Sequence, residues 1–264
     1  MKLAISNIAW AVEQDAKMYE RMKRLGYEGL EIAPTRIFPQ NPYEKLEQAA
    51  EWQQDLAAEY GFCVPSMQSI WFGRQEKIFG SKEEQESLLG YTKKAIDFAA
   101  AIGCKNLVFG CPRNRAVPDG VSSALATPFF KELGVYAASR KTAVGMEANP
   151  PIYNTNYIND TKSALELIEQ VEEEGFRLNL DVGTMIYHGE AVEVLEGRSK
   201  QISHVHISEP GLKPIEKRNL HKELAQFLRE NAYQGFVSVE MGRQEIFEAA
   251  ALEEIMCYVK EIFG

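Results

Sequence analysis

The stretch "ISHVHISEP", residues 202–210, alternates polar and apolar residues with the period of a β-strand. Side chains two residues apart on a strand point to the same face, so His204, His206 and Ser208 lie together. Val205 and Ile207 lie on the opposite face. In a barrel covered by helices, the apolar face of a strand meets the helices and the polar face points inward. The stretch therefore predicts a barrel strand that directs both histidines inward.

Similar short apolar runs alternate with amphipathic helical stretches along the whole chain. The predicted strands are residues 3–8, 29–33, 63–69, 106–110, 143–148, 177–182, 202–208 and 236–241. Helices are predicted between them, for example over 82–103 and over 160–175, where Asp160 caps the start and Gly175 marks the end. Eight such units in 264 residues match one (β/α)8 barrel, so we expect a single domain spanning residues 1–264.

The alternative fold is a doubly wound open sheet, which often carries a glycine-rich phosphate loop after an early strand. No GxGxxG or GxxxxGK[ST] sequence follows the early predicted strands. No linker rich in Pro, Gly or Ser divides the chain into halves. Both observations favour the barrel.

Composition narrows the class of protein. Hydrophobic residues make up 45% and charged residues 25% of the chain, which is typical of a globular protein. The formal net charge of -9 predicts no general affinity for nucleic acid or anionic membranes. A homo-oligomer remains possible. We expect a cytoplasmic location, because there is no apolar segment of signal-peptide or membrane-spanning length.

Four consecutive predicted strands, the fifth to the eighth, each direct one acidic or imidazole side chain inward near the strand's end. These residues are Glu147, Asp181, His206 and Glu240. Three carboxylates held close together are unfavourable unless a cation neutralises them. The set therefore predicts one divalent metal ion, Mn, Mg, Co or Zn, with Mn favoured. His204 lies one layer deeper and is expected to support the site from below.

The motifs "GMEANP", "LNLDVGTM", "HVHISEP" and "VSVEM" occur in this order, and the chain resembles the xylose-isomerase-like superfamily through them. That superfamily contains sugar phosphate isomerases/epimerases, ketose 3-epimerases, hydroxypyruvate isomerase, inosose dehydratase and endonuclease IV. The resemblance implies a metal-dependent isomerase or epimerase of a sugar, sugar phosphate or polyol derivative, acting through an enediolate. It also implies that Glu147 and Glu240 are the catalytic acid and base.

The sequence departs from ketose 3-epimerases at two positions. Thr184 stands where those enzymes have a substrate-contacting His, and Leu212 where they have an Arg. A free ketohexose is therefore a doubtful substrate, and a lyase such as a keto-polyol dehydratase remains an alternative. A phosphodiesterase like endonuclease IV is disfavoured, because its three-zinc cluster needs more histidines than the four in this chain.

Further residues at strand ends or in the following loops are candidates for binding a carbohydrate substrate. They are Trp10, Glu31, Gln68, Asn149, Tyr153, His188, His221 and Arg243. The loop "GCPRNR" after the fourth strand also brings Arg113 and Arg115 to the predicted mouth, where they could contact a phosphate or carboxylate.

Overall fold

A computed structural model describes residues 1–264 and contains eight strands and nine α-helices. The strands are β1 (Lys2–Ser6), β2 (Gly29–Glu31), β3 (Ser66–Met67), β4 (Asn106–Phe109), β5 (Ala143–Glu147), β6 (Phe176–Asp181), β7 (Ile202–Ile207) and β8 (Phe236–Val239). The helices are α1 (Asp15–Leu25), α2 (Pro34–Ile37), α3 (Leu46–Tyr60), α4 (Lys82–Ala101), α5 (Thr127–Ser139), α6 (Thr161–Val171), α7 (Val182–His188), α8 (Asn219–Glu230) and α9 (Ala249–Phe263).

All strand pairs are parallel, and the eight strands follow the order β2-β1-β8-β7-β6-β5-β4-β3. Two single parallel bridges, Gly29 with Cys63 and Ile32 with Met67, join the two ends of this sheet. The predicted (β/α)8 barrel is confirmed. β3 is shorter than expected, because Pro65 just before it has no N–H to donate to a ladder.

Two predicted helices begin where the sequence indicates. The Ser81 hydroxyl caps α4, and the Asp160 carboxylate caps α6 by accepting from the Ser163 N–H at 2.7 Å. However, α6 ends at Val171, before Gly175. A Cβ on Gly175 would lie 2.1 Å from the Gly134 carbonyl oxygen, so the glycine serves close packing against α5.

The apolar residues of the strands pack outward against the helices in one cluster of 65 buried residues. The interior of the barrel is instead polar. The Asn106 side-chain amide donates to the Ser66 hydroxyl at 3.0 Å and to Asn179 Oδ1 at 3.1 Å across the barrel. Gly145 also faces inward, where a Cβ would lie 2.4 Å from Asn106 Oδ1. This inverted pattern, polar inside and apolar outside, brings hydrogen-bonding groups to the barrel axis.

None of the helices is both long enough and apolar enough to span a membrane.

Candidate active site

Glu147, Asp181, His206 and Glu240 meet at the carboxyl ends of β5 to β8, and each offers a ligand atom within 4.8 Å of the others. His206 Nδ1 lies 3.0 Å from Glu147 Oε1 and 3.1 Å from Glu240 Oε2. The His206 ring is fully buried, and only 8% of Glu147 and 6% of Glu240 is exposed. The four residues proposed as metal ligands are therefore neighbours in one enclosed space.

The strand register explains why these four residues converge. Asp181 pairs with His206, but Glu147 pairs with Asn179 and His206 pairs with Ser238. Asp181 therefore lies two residues beyond the register partner of Glu147, and Glu240 lies two residues beyond the register partner of His206. Barrel strands are tilted, so residues at the same height along the axis need not be register partners.

Both oxygens of the Glu147 carboxylate accept a hydrogen bond from an amide. Asn179 Nδ2 donates to Oε1 and Asn149 Nδ2 donates to Oε2, each at 2.9 Å. The Asn149 amide is oriented by Arg115, whose guanidinium donates to Asn149 Oδ1 at 2.9 Å and to the Glu147 carbonyl at 2.9 Å. A chain of contacts from Arg115 through Asn149 therefore fixes the position of Glu147.

Asp181 is held by the start of α7, which it caps. Its Oδ1 accepts from the Thr184 N–H and its Oδ2 accepts from the Ser208 hydroxyl, both at 2.6 Å. Ser208 in turn accepts from the Gly183 N–H at 2.8 Å. The Thr184 hydroxyl donates to the Ala148 carbonyl and does not line the cavity. Thr184 therefore does not replace the histidine that ketose 3-epimerases carry at this position.

A second buried group lies beneath the four ligands. Glu31 Oε2 lies 2.8 Å from His206 Nε2 and 3.2 Å from His204 Nε2, and Glu31 is fully buried. We expected Glu31 among the substrate-binding residues at the mouth, and the structure corrects this. Glu31 pairs with Ser6 across β1 and β2, at a depth where its carboxylate meets the histidines and not the cavity.

Burial and mutual repulsion shift the pKa values of the acidic residues in the site. Burial and the negative charge of Glu147 raise the pKa of Asp181 to about 6. Burial also raises the pKa of Glu240 to about 7, and the carboxylates of Glu147 and Asp181 add to the shift. Burial alone would lower the pKa of His206, but Glu240 and Glu31 outweigh it and hold that pKa well above its usual range.

A divalent cation fits this donor set. Three carboxylates and one imidazole nitrogen provide hard oxygen ligands with a single nitrogen, which suits Mn, Mg, Co or Zn. Glu31 has its pKa held well below the usual range, since the two histidines outweigh the effect of burial, so it is ionised. The ionised Glu31 carboxylate accepts a hydrogen bond from His206 Nε2. The other ring nitrogen, Nδ1, is then directed at the Glu147 carboxylate.

The four candidate ligands face a cavity of about 170 Å³. Gln68, Asn149 and Tyr153, three of the expected substrate-binding residues, line it together with Glu147, Asp181 and Glu240. Gln68 Nε2 donates to Glu240 Oε1 at 2.9 Å, and the Tyr153 hydroxyl accepts from the Gly211 N–H at 2.8 Å. A cavity of roughly 150 Å³ holds a benzene ring, so this one has room for a six-membered ring or a chain of similar size.

Four other expected substrate-binding residues do not line this cavity. The Trp10 indole is buried against α1 and donates to Asp15 at 2.7 Å. His221 is buried between α8 and α9, with Nδ1 2.9 Å from the Tyr258 hydroxyl. His188 is the exposed last residue of α7, and Arg243 is exposed on the loop after β8. Their positions near strand ends in the sequence do not bring them to the axis.

Arg115 also differs from the expectation that it lies on an accessible loop. It is fully buried, whereas its neighbour Arg113 is exposed at the mouth. Asn179, which donates to Glu147, was not among the predicted site residues, although its inward position in β6 was a usable signal. Gly110 was also missed, and a Cβ there would lie 2.8 Å from Glu147 Oε2.

Comparison with known proteins agrees with this architecture. Residues 19–261 match the family model described as xylose isomerase-like TIM barrel. The chain belongs to the xylose isomerase-like TIM barrel family. No curated protein matches the sequence significantly.

Solved structures with this fold include several proteins named as sugar epimerases. 3-Keto-D-glucoside 4-epimerase YcjR from E. coli has a TM-score of 0.78 at 19% identity, with 99% of each chain covered. D-Psicose 3-epimerase from Clostridium cellulolyticum H10, solved with D-tagatose, has a TM-score of 0.81 at 13% identity, covering 100% of this chain and 99% of that one. The IOLI protein, solved with a zinc atom, has a TM-score of 0.73 at 18% identity, covering 99% and 96%.

Proposed function

We propose that the protein is a divalent-metal-dependent isomerase or epimerase of a sugar or sugar derivative. The observation that carries the proposal is the convergence of Glu147, Asp181, His206 and Glu240 on one buried cavity of small-molecule size. The likeness in fold to sugar epimerases and to a zinc-binding protein supports the same reaction class. These four side chains would hold the ion, and Mn is favoured.

A bound divalent cation supplies Lewis-acid stabilisation of the negative charge that forms on a carbonyl oxygen when a neighbouring carbon loses its proton. Glu147 and Glu240 transfer the proton. They extend from β5 and from the end of β8, so they approach the cavity from different walls. One carboxylate removes a proton from carbon and the other returns one. Return to the same carbon gives an epimer, and return to its neighbour gives an isomer.

The other residues of the site orient these two carboxylates. Asn149 and Asn179 hold Glu147 by both oxygens, and Gln68 holds Glu240 by Oε1. Tyr153, anchored to the Gly211 N–H, closes one side of the cavity, and a bound substrate would meet it there. These contacts fix the carboxylates before substrate enters, which favours a well-defined proton transfer.

The test is incubation of purified protein, stripped with chelator and reloaded separately with Mn, Co, Mg or Zn, with a panel of ketoses and keto-polyols in deuterated water. We expect one metal to restore conversion and deuterium to appear on the carbon next to the carbonyl. A Glu240→Gln variant should bind substrate but lose turnover, because Gln cannot accept a proton at neutral pH. Wild-type turnover by that variant would refute the two-carboxylate mechanism. Loss of water from the substrate would assign the protein to the dehydratases instead.

A further inference from the structure

A second cleft adjoins the cavity that holds the four ligands. It has a volume of about 590 Å³ and is lined by residues of two loops, within 69–77 after β3 and 111–114 after β4. We call it the side cleft. Ser69, Cys111 and Pro112 line both the side cleft and the cavity, so the two spaces meet at this shared rim. A substrate larger than the cavity could extend into the side cleft.

The side cleft and the cavity have opposite charge. Arg74, Lys77 and Arg113 line the side cleft, and no acidic residue does. The cavity is lined by three carboxylates and no cationic side chain. The whole chain has 38 acidic and 29 basic residues, so the excess of positive charge in the side cleft is opposite to the net negative charge of the chain. A ligand that spans both spaces should therefore carry negative charge at its side-cleft end.

Two of the three cations have no carboxylate partner. Arg74 is already engaged, because it pairs with Glu76 and its guanidinium lies 4.7 Å from the centre of the Tyr91 ring. Lys77 Nζ donates only to the backbone carbonyl of Arg113, at 2.5 Å. The Arg113 side chain is exposed and makes no hydrogen bond or ion pair. Lys77 and Arg113 are thus free to bind an anion.

The backbone that carries these cations is tied in place. Asn114 is buried, and its amide donates to the carbonyls of Arg74 at 3.1 Å and Glu76 at 2.8 Å, which links the two loops. At the shared rim, Ser69 and Cys111 both have left-handed backbone conformations, with φ of 54° and 44°. Non-glycine residues rarely adopt this conformation, and such strain is concentrated at functional sites.

We propose that the side cleft binds an oxyanion, either a phosphate or a carboxylate, carried by the substrate at the end distant from the carbons on which Glu147 and Glu240 act. Arg113 would hold the oxyanion through its planar guanidinium and Lys77 through its ammonium group. The proposal rests on the proposed function and names its substrate class, a sugar phosphate or a sugar acid. The cavity offers no cationic side chain to the anionic end of such a substrate, whereas the side cleft offers Lys77 and Arg113.

The test compares three ligands that differ only at one end: D-fructose, its terminal phosphate ester and its terminal uronic acid. Their dissociation constants are measured by calorimetry on metal-loaded wild-type protein and on Arg113→Gln and Lys77→Gln variants. Lys222→Gln, which removes an exposed lysine from α8, is the matched control. We expect at least one anionic ligand to bind about tenfold or more tightly than D-fructose, since a charged hydrogen bond is worth at least that factor.

Each side-cleft variant should weaken the anionic ligand about tenfold, leave D-fructose unchanged and differ from Lys222→Gln in this respect. Preference for the ester assigns a phosphate site, and preference for the uronic acid assigns a carboxylate site. Anionic ligands that bind no better than D-fructose, with no detectable binding included, would overturn the proposal, as would variants that weaken all ligands equally. Anion preference without any isomerisation would refute only the proposed function, and turnover of D-fructose without anion preference would refute only the side-cleft proposal.

Discussion

Glu31 Oε2 lies 2.8 Å from Nε2 of His206 at the floor of the site, and both side chains are fully buried. Because the Glu31 carboxylate is ionised, the proton of this contact belongs to His206 Nε2. Nδ1 is therefore the nitrogen that faces Glu147 and Glu240. A carboxylate that fixes the tautomer and ring orientation of a histidine in this way prepares the histidine to bind a metal.

Replacing Glu31 by Gln should weaken divalent metal binding by roughly 10- to 100-fold, the usual effect of losing such a supporting carboxylate. The amide keeps the size of the side chain but can donate to Nε2, which would allow the proton to move to Nδ1. Titration of chelator-stripped protein with Mn or Zn in a calorimeter measures the change. Glu209→Gln removes another buried carboxylate, which binds Arg218 outside the site, and should leave metal affinity unaltered. Equal affinity in wild type and Glu31→Gln would contradict the role given to Glu31.

The barrel and the four converging side chains could be predicted from the sequence, because alternation with period two is a local property. Alternation shows which residues of each strand face inward, as for His204 and His206. Because the strands are parallel, their carboxyl ends lie at the same edge of the barrel, and the inward polar residues meet there. Gln68, Asn149 and Tyr153 also line the cavity. Gln68 belongs to the third predicted strand, whereas Asn149 and Tyr153 were selected from the loop after the fifth strand, since such loops lie over the mouth of a barrel.

The depth of Glu31 could not be predicted in this way. It depends on the pairing of Glu31 with Ser6, which is a relation between two strands and not a pattern within one. The prediction that His221 contacts the substrate failed for a different reason. It lies on α8, whose buried face packs against α9 and away from the barrel axis. The burial of Arg115 depends on contacts with Asn149 and Ile158, which lie more than thirty residues away in the chain.

Gly110 leaves space for the Glu147 carboxylate. A Cβ at this position would lie 2.8 Å from Glu147 Oε2 and 3.3 Å from Asn149 Oδ1. We expect Gly110→Ala to displace the carboxylate and lower both metal affinity and kcat/KM by about tenfold, on the scale of supporting contacts around metal sites. Its effect on the free energy of unfolding should stay within about 1 kcal/mol, because the displaced atoms are the end of a side chain.

Gly90→Ala is the matched control for this change. Gly90 lies on α4, and a Cβ there would meet nothing within 4 Å. In the interior of a helix, Ala is favoured over Gly by up to about 1 kcal/mol, so this variant should be slightly more stable and fully active. If Gly110→Ala were as active as Gly90→Ala, the Glu147 carboxylate would not depend on the space beside Gly110.

His221 should make the stability of the protein depend on pH. Burial lowers the pKa of His221 to about 4, against the opposing charge of Glu209. An unfolded chain has a histidine pKa of about 6.5, so between these values it binds more protons than the folded protein. This contribution to stability is full above about pH 6.5 and is lost as the pH falls toward 4, by on the order of 3 kcal/mol in total.

Urea unfolding of wild type and His221→Gln at several pH values between 4.5 and 7.5 measures this effect. The variant loses the contact with the Tyr258 hydroxyl and should be less stable at neutral pH, but the difference from wild type should shrink as the pH falls. His188→Gln, a change at an exposed histidine, is the matched control and should alter the free energy of unfolding by no more than about 0.5 kcal/mol. A constant difference between wild type and His221→Gln would show that His221 does not titrate differently on folding.

The contact chain from Arg115 through Asn149 to Glu147 can be tested by separating its structural and chemical effects. Asn149→Asp keeps an acceptor for the Arg115 guanidinium but removes the donor to Glu147 Oε2 and places a second negative charge beside it. We expect kcat/KM to fall by roughly 10- to 100-fold, while the free energy of unfolding changes by less than about 1 kcal/mol.

Asn149→Ala should lower activity and also destabilise the fold, by about 1 to 3 kcal/mol, because the buried Arg115 guanidinium then loses an acceptor. Activity assays on the metal-loaded proteins and urea unfolding of the same samples measure both quantities. An active Asn149→Asp variant would show that Glu147 does not need the amide donor. If Asn149→Asp were instead as unstable as Asn149→Ala, its loss of activity would follow from damage to the fold, and the part assigned to Asn149 in orienting Glu147 would have no support.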